Sequence, residues 1–217
     1  MSNSKAMNNQ KLVEDGYNQI AEEYLRKFRL SSDANRHTVK YLKLLIKLLP
    51  RNSKILDLGC GAGIPATKIL AQYYKVVGVD ISEKQIQLAR KNVPEAKFIK
   101  ADMLEVDFPN NSFDAIVSLY AIIHIPRQYH RKLLKKIWRM LKPGGYFLAT
   151  MGVTDLEEAK EEDWLGAPMY WSHFGKKENI TMLKEIGFRI LKTRVEIERE
   201  MDEEVKHLYV LTRKPLG

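Results

Sequence analysis

The stretch Lys54–Leu70, Lys-Ile-Leu-Asp-Leu-Gly-Cys-Gly-Ala-Gly-Ile-Pro-Ala-Thr-Lys-Ile-Leu, constrains the fold more than any other part of the chain. Ile55, Leu56 and Leu58 make a short apolar run suited to a buried parallel strand. Gly59, Gly61 and Gly63 then recur at every second position, which makes a tight, low loop that a ligand can approach closely. Pro65 has its nitrogen in the first turn of the next element, where a helix needs no donor, and Ile69 and Leu70 begin a core-facing stripe. Strand, glycine loop and helix in this order place a nucleotide-type ligand at the carboxyl end of the first strand. The spacing is not that of a dinucleotide fingerprint, because Ile64 stands three residues past Gly61, and the Gly-Lys-Ser/Thr of a phosphate loop is missing.

A chain of 217 residues suffices for one sizeable α/β domain and is short for two. No apolar run approaches the ~20 residues needed to cross a bilayer. The polar start, Met1–Gln10, has no apolar signal core, so export is not expected. The single cysteine, Cys60, excludes an internal disulfide and a multi-cysteine metal site, and no spacing supports any other metal site; a cytoplasmic protein is expected. The net charge of +9 is uneven: residues 1–150 carry 25 Lys+Arg against 13 Asp+Glu, and residues 151–217 carry 11 against 14. A basic surface of this kind either attracts acidic partners or simply solubilises.

Residues 10–29 read as an amphipathic helix with Tyr17, Ile20, Ala21, Tyr24, Leu25 and Phe28 on one face. Ser31, Ser32, Asp33 and Asn35 can cap a second helix, which runs to about Leu49 and ends at Pro50. After the glycine loop, Lys75-Val76-Val77-Gly78-Val79-Asp80 reads as a strand ending in a carboxylate. Asp80 lies 17 residues past Gly63, near the offset where an acid accepts from ribose hydroxyls. Ser82 and Gln85 form a capping box for the next helix, which would leave Asp80 free for the ligand. Lys97-Phe98-Ile99-Lys100-Ala101-Asp102 repeats the pattern of a strand ending in a carboxylate, with Met103 next. Phe113–Tyr120 is a fourth strand. Helix 127–141 with the following Lys142 carries seven positive charges in 16 residues, either a nucleic-acid face or a solvated one. Pro143 stops it, and Leu141-Lys142-Pro143-Gly144-Gly145 turns into a fifth strand. Residues 152–175 read as irregular, with Trp164, Met169, Tyr170, Trp171, His173 and Phe174 forming either a lid over a pocket or a satellite cluster. A helix over 176–186 stopped by Gly187 and strands over 188–198 and 206–214 close the chain.

Asp57-x-Gly59-x-Gly61-x-Gly63, the Asp80 strand, Ala101-Asp102-Met103 and the Leu-Lys-Pro-Gly-Gly turn occur in the order that resembles class I S-adenosylmethionine-dependent methyltransferases. His124-Ile125-Pro126-Arg127 makes the chain most similar to their small-molecule, type 11-like branch. The resemblance implies a Rossmann-like, doubly wound, seven-stranded and mostly parallel α/β sheet, with an N-terminal helical cap (1–50), a cofactor-binding core (51–150) and a substrate lid with a C-terminal antiparallel hairpin (151–217). It implies S-adenosylmethionine as cofactor and S-adenosylhomocysteine as product. Gly59, Cys60, Gly61, Gly63 and Asp57 would cradle the cofactor, with Asp80 and Ile81 at the ribose, Asp102 and Met103 at the adenine, and Leu119 and Tyr17 nearby. Tyr17 is equally readable as a half-buried core residue.

Such a domain would move a methyl group to a small-molecule acceptor by in-line displacement, as a monomer or homodimer without membrane insertion. No Asn/Asp-Pro-Pro-Tyr/Phe motif follows the fourth strand, and no nucleophilic cysteine stands there. Both absences count against nucleobase chemistry. An acceptor proton calls for a base of near-neutral pKa. His124 is the first candidate and His173 the second, with Tyr120 able to orient the acceptor; His124 reads equally as a structural residue. The alternatives are an RNA or protein methyltransferase, or a non-catalytic S-adenosylmethionine-binding protein.

Overall fold

The computed structural model describes residues 2–30, 35–200 and 203–216, so Ser31, Ser32 and Asp33, read as caps of the second helix, lie outside the described residues. The first five strands are β1 (Lys54–Leu58), β2 (Lys75–Asp80), β3 (Lys97–Lys100), β4 (Phe113–Ser118) and β5 (Leu141–Met151), with helices between all but β3 and β4, which turns join. A long hairpin lies nearer the end of the chain, β8 (Arg189–Glu200) and β9 (Glu203–Arg213). The seven form one sheet in the order β3-β2-β1-β4-β5-β9-β8. The first five are parallel, and β9 runs antiparallel to both β5 and β8. The chain order reverses between β1 and β4, which opens a crevice at the carboxyl ends of the strands, where ligands of such sheets bind.

Both faces of the sheet are covered, so its central strands are apolar throughout. Tyr41, Leu42 and Leu45 of α2 (Arg36–Leu48) and Leu70 of α3 (Ala66–Ala71) pack on one face against Ile55, Ala115 and Leu148. Leu133, Leu134, Ile137 and Met140 of α5 (His130–Met140) cover the other with Met182 and Leu183 of α6 (Lys176–Ile186), against Leu56, Ile116 and Phe147. The basic face of α5 is largely used up within the chain. Arg127 pairs with Asp155, Arg131 with Glu185, Arg139 with Asp107 and Lys142 with Asp114. Lys136 donates to the carbonyls of Leu104 and Val106.

The N-terminal helix α1 spans Ser2–Tyr24 and passes into a π-turn, Leu25–Arg29. The wider winding of that turn, closed by Leu30 N–H on the Leu25 carbonyl at 3.1 Å, leaves Phe28 buried and Arg29 half-buried.

Residues 152–175, read as irregular, instead form a second, two-stranded sheet of β6 (Leu156–Trp164) and β7 (Ala167–His173). Three physical features hide it from the sequence. The register slips between Leu156 and Ala159 and again between Glu161 and Trp164, which breaks the two-residue alternation. The β6 strand is acidic, a composition strands avoid. Its two-residue turn is Leu165-Gly166, both at positive φ (58° and 94°), a hairpin geometry usually announced by Asn-Gly or Asp-Gly. The hairpin packs on α1 through Val13, Ile20, Met169 and Tyr170.

Contact between α1 and β7 depends on Gly16, where an added Cβ would stand 2.6 Å from the Pro168 carbonyl oxygen. Alanine in a helix interior ordinarily gains about 1 kcal/mol over glycine. Here Gly16→Ala is expected to lose about 1–3 kcal/mol through overpacking, read by urea unfolding. A gain in stability would show that α1 does not seat against the hairpin.

Candidate functional site

A cavity of about 870 Å³, open to solvent on one side, fills the crevice. The loops after β1, β2, β3 and β4 line it from below and α1 covers it. Of the residues expected at the ligand, Tyr17, Asp57, Gly59, Cys60, Gly61, Asp80, Ile81, Asp102, Met103, Leu119, Tyr120 and His124 all line it. Gly63 does not; its Cβ position is 3.1 Å from Val93, so it serves the packing of the loop on α4 (Glu83–Asn92). His173 is likewise outside the lining, its Nδ1 on the Thr154 carbonyl at 2.8 Å, and burial lowers its pKa.

The glycine loop is held from below by carboxylates. Gly59 (φ +76°) passes so close to the loop after β4 that a Cβ would lie 2.2 Å from that of Ala121. Gly59 and Cys60 both donate to the Val79 carbonyl, at 2.8 and 3.0 Å. Asp57, buried at the end of β1, accepts from the Thr67 hydroxyl at 2.6 Å and so ties the strand to α3. Asp80 is not free as expected: Oδ2 accepts from Gly61 N–H at 2.8 Å and Oδ1 from Ser82 N–H at 2.9 Å. A carboxylate has roughly four acceptor sites, so Asp80 can fix the loop and still face a ligand. Ser82 caps α4 as expected, accepting from Gln85 N–H at 3.1 Å. Burial pushes the carboxyls of Asp57 and Asp80 up to about 6 and raises that of Asp102, whose Oδ1 takes Leu104 N–H at 2.7 Å. Burial also raises the thiol pKa of Cys60.

His124, 6% exposed, is held on both ring nitrogens. Its Nδ1 lies 2.8 Å from the Tyr170 carbonyl, and its Nε2 lies 2.9 Å from the Tyr17 hydroxyl. A carbonyl can only accept, so Nδ1 carries the proton. In the neutral ring Nε2 therefore accepts from Tyr17. Burial raises the Tyr17 pKa well above its ordinary value, which keeps the phenol protonated. Gln10 of α1 donates to the His124 carbonyl at 3.0 Å, and Asn18 accepts from the Ser82 hydroxyl at 2.8 Å. Tyr120, at φ +57°, lines the cavity, and its hydroxyl is already engaged. It donates to Glu198 at 2.8 Å and shares a buried cluster with Thr38 and Tyr209, so orienting an acceptor by that hydroxyl is not what the geometry offers.

Sequence reading missed Arg29, Thr38, Gln85, Gln10 and Asn18. Arg29 stacks its guanidinium 4.3 Å from the Tyr120 ring centroid and 4.9 Å from that of Tyr24, with no carboxylate partner among the described residues. Gln85 is buried at the cavity with neither amide atom hydrogen-bonded among the described residues. Both offer polar groups to a ligand; only their side-chain chemistry, at positions read as helix surface or cap, could have flagged them.

A smaller compartment of about 310 Å³ adjoins the cavity and shares Tyr17, Tyr24, Arg29, Tyr120 and His124 with it. Phe28, Trp164 and Trp171 complete its aromatic wall. Of the expected lid residues, Trp164 and Trp171 are therefore at the site. Met169 and Tyr170 are buried against α1, and Phe174 packs beside His130.

Residues 55–145 match a family model described as a methyltransferase domain. That stretch, from β1 to the start of β5, is similar to methyltransferase domains. Over 101 residues it is 38% identical to a sterol 24-C-methyltransferase of Aspergillus fumigatus, covering 43% of this chain and 26% of that protein. It is 32% identical over 124 residues to the 27-O-demethylrifamycin SV methyltransferase of Amycolatopsis mediterranei, covering 53% and 45%. The match thus spans between a quarter and a half of these curated relatives. Among solved structures, magnesium protoporphyrin IX methyltransferase of Synechocystis, crystallised with S-adenosylhomocysteine, has the same fold, with a TM-score of 0.73 at 17% identity over 95% of this chain and 99% of that one. A seven-stranded, mostly parallel sheet with a reversed final strand is what the sequence led to expect.

The raised carboxyls at the cavity give a signed prediction. A folded-state pKa near 6 against 3.8 for the ordinary carboxyl means that the folded state binds the proton more tightly. Asp80 therefore favours folding below about pH 4 and loses that contribution as the pH rises through 6. The stability of wild type relative to Asp80→Asn should fall between pH 4 and 6 and level off above, measured by urea unfolding. A flat difference would mean that Asp80 is not desolvated.

Proposed function

We propose that this chain transfers a methyl group from S-adenosylmethionine to a small-molecule acceptor by in-line displacement. The observation that carries the reading is one cavity in which the glycine loop, the Asp80 and Asp102 strand ends and the Tyr17–His124 pair meet. The residues present suit the cofactor. Gly61 borders the cavity with nothing nearer than 3.7 Å to its Cβ position, so that space is open to a ligand backbone. Asp80 would accept from ribose hydroxyls, Asp102 from the adenine amine, and Met103 would pack on the ring. Arg29, a half-buried cation without a carboxylate partner among the described residues, would take the cofactor's carboxylate. The unpaired amide of Gln85 would gain a partner on the same wall.

When bound, the cofactor supplies a sulfonium methyl carbon whose transfer to a hydroxyl leaves a thioether and releases one proton. The chain's task is to align, to exclude water and to remove that proton. His124 Nε2 is the base, reached through Tyr17: the hydroxyl of Tyr17 accepts the acceptor's proton as its own passes to Nε2. The Tyr170 carbonyl fixes the tautomer that leaves Nε2 able to accept. The cover over the cavity is shared by α1 and the β6–β7 hairpin: α1 meets the hairpin at Gly16, and Gln10 and Asn18 fix it to His124 and Ser82. A small-molecule acceptor suits the half-open aromatic compartment, and the names of the sterol and rifamycin relatives point the same way. The α5 cations, mostly paired within the chain, lend no support to a nucleic-acid acceptor. A single cysteine, buried and free, suits a cytoplasmic protein.

Calorimetry with S-adenosylhomocysteine tests the cofactor half of the reading. Asp80→Ala and Arg29→Ala should each weaken binding by about 1.5–3 kcal/mol per lost charge-assisted hydrogen bond. Unchanged affinity would remove that residue from the site. For the chemical half, Tyr17→Phe and His124→Gln should cut labelled-methyl transfer about a hundredfold or more while the affinity for S-adenosylhomocysteine stays within a few-fold. Wild-type turnover in either would exclude the relay.

A further inference from the structure

The compartment beside the cofactor cavity is bounded by ten residues, of which Ile123 alone is aliphatic. Tyr17, Tyr24, Phe28, Tyr120, Trp164 and Trp171 present aromatic rings, His124 and His207 imidazoles, and Arg29 a planar guanidinium. Trp164 braces this wall. Its ring centroid is 5.6 Å from Trp171, 5.8 Å from Tyr24, 6.0 Å from Tyr17 and 6.1 Å from Phe28, the last stacked at 11°. Tyr17, Tyr24, Trp164 and Trp171 are only half-buried, so ring surface remains to face an occupant.

Walls of this kind discriminate by shape and charge distribution as well as by apolarity. Aromatic faces and edges favour another flat ring in offset or edge-on contact, and a guanidinium plane stacks on it as well. A saturated ring system gains only the area term. Deprotonation adds a second criterion: a phenol, of ordinary pKa about 10, gives up its proton far more readily than an aliphatic alcohol.

We propose that the compartment is the acceptor site for a small planar aromatic compound bearing a ring hydroxyl, its ring laid against the wall that Trp164, Trp171 and Tyr24 form and its hydroxyl against Tyr17. The assignment rests on the methyltransferase function proposed for this chain, and names the acceptor class which that function leaves open. It differs from what the sterol relatives' names describe, since a sterol nucleus is saturated and several times larger.

The test is calorimetric titration of the full chain, loaded with S-adenosylhomocysteine, with 2-naphthol and with its saturated counterpart decahydro-2-naphthol. The expected result is at least tenfold tighter binding of 2-naphthol, and a loss of fivefold or more of that affinity in Trp171→Leu. The affinity of Trp171→Leu for S-adenosylhomocysteine should stay at the wild-type value, which also reports that the variant is folded. If S-adenosylhomocysteine binds wild type but the saturated alcohol binds as tightly as 2-naphthol, or neither binds, the aromatic class is overturned while the methyltransferase function stands. If S-adenosylhomocysteine itself fails to bind wild type, the methyltransferase function falls and this assignment with it. Should Trp171→Leu fail to fold, Trp164→Phe, which keeps a ring but shrinks it, is the substitute and should weaken 2-naphthol alone.

Discussion

One imidazole ties three separate parts of this chain together. His124 follows β4, takes the Tyr170 carbonyl of the β6–β7 hairpin on one nitrogen and the Tyr17 hydroxyl of α1 on the other. A buried polar ring that lost either partner would carry an unmet desolvation cost of about 1–3 kcal/mol, so its pairing specifies where the helix and the hairpin dock. The same pairing fixes the tautomer, and with it the direction in which a proton can move. Positioning and chemistry are thus one constraint at this residue. The bond from the Gln10 side chain to the His124 carbonyl doubles the attachment of α1 at the same point.

Around that point the sheet does what a parallel α/β sheet allows. Reversal of strand order between β1 and β4 leaves a crevice that no crossover helix fills. Carboxylates at the ends of β1 and β2 span it, and they do structural work before any ligand arrives. Asp57 holds α3, and Asp80 holds both the glycine loop and the start of α4. Their desolvation raises both pKa values to about 6, a destabilisation that ligand hydroxyls would relieve. An unfavourably buried acid beside an unpaired Gln85 amide is what a binding site costs the empty fold.

The first strands were legible because β1 and β2 announce themselves locally, an apolar run and then glycine or acid, with Ser82 capping the helix after β2. The ends of the chain were less so. The β6–β7 hairpin carries Leu165-Gly166 in place of a strong turn pair and two register slips, so no alternation survives to be read. Arg29 owes its place to a π-turn that shifts the helix phase by a fraction of a turn, which a 3.6-residue pattern does not foresee. Asp80 was visible as a ligand candidate, but its two backbone bonds depend on how close the glycine loop passes, a tertiary fact. His124 and Tyr17 were each visible singly; the bond between them spans 107 positions and only folding reveals it. The seven charges of the α5 segment illustrate the converse, since their partners Asp155, Glu185, Asp107 and Asp114 lie on other elements.

The account turns on the protonation of His124, and ¹⁵N NMR of the imidazole reads it directly. Long-range ¹H–¹⁵N spectra at neutral pH should place the proton on Nδ1, with Nε2 as the acceptor, and the Nε2 resonance should move when Tyr17 is replaced by Phe. A proton on Nε2, or an Nε2 resonance indifferent to Tyr17→Phe, would contradict the linkage of cap, sheet and hairpin through this ring and the proton path built on it.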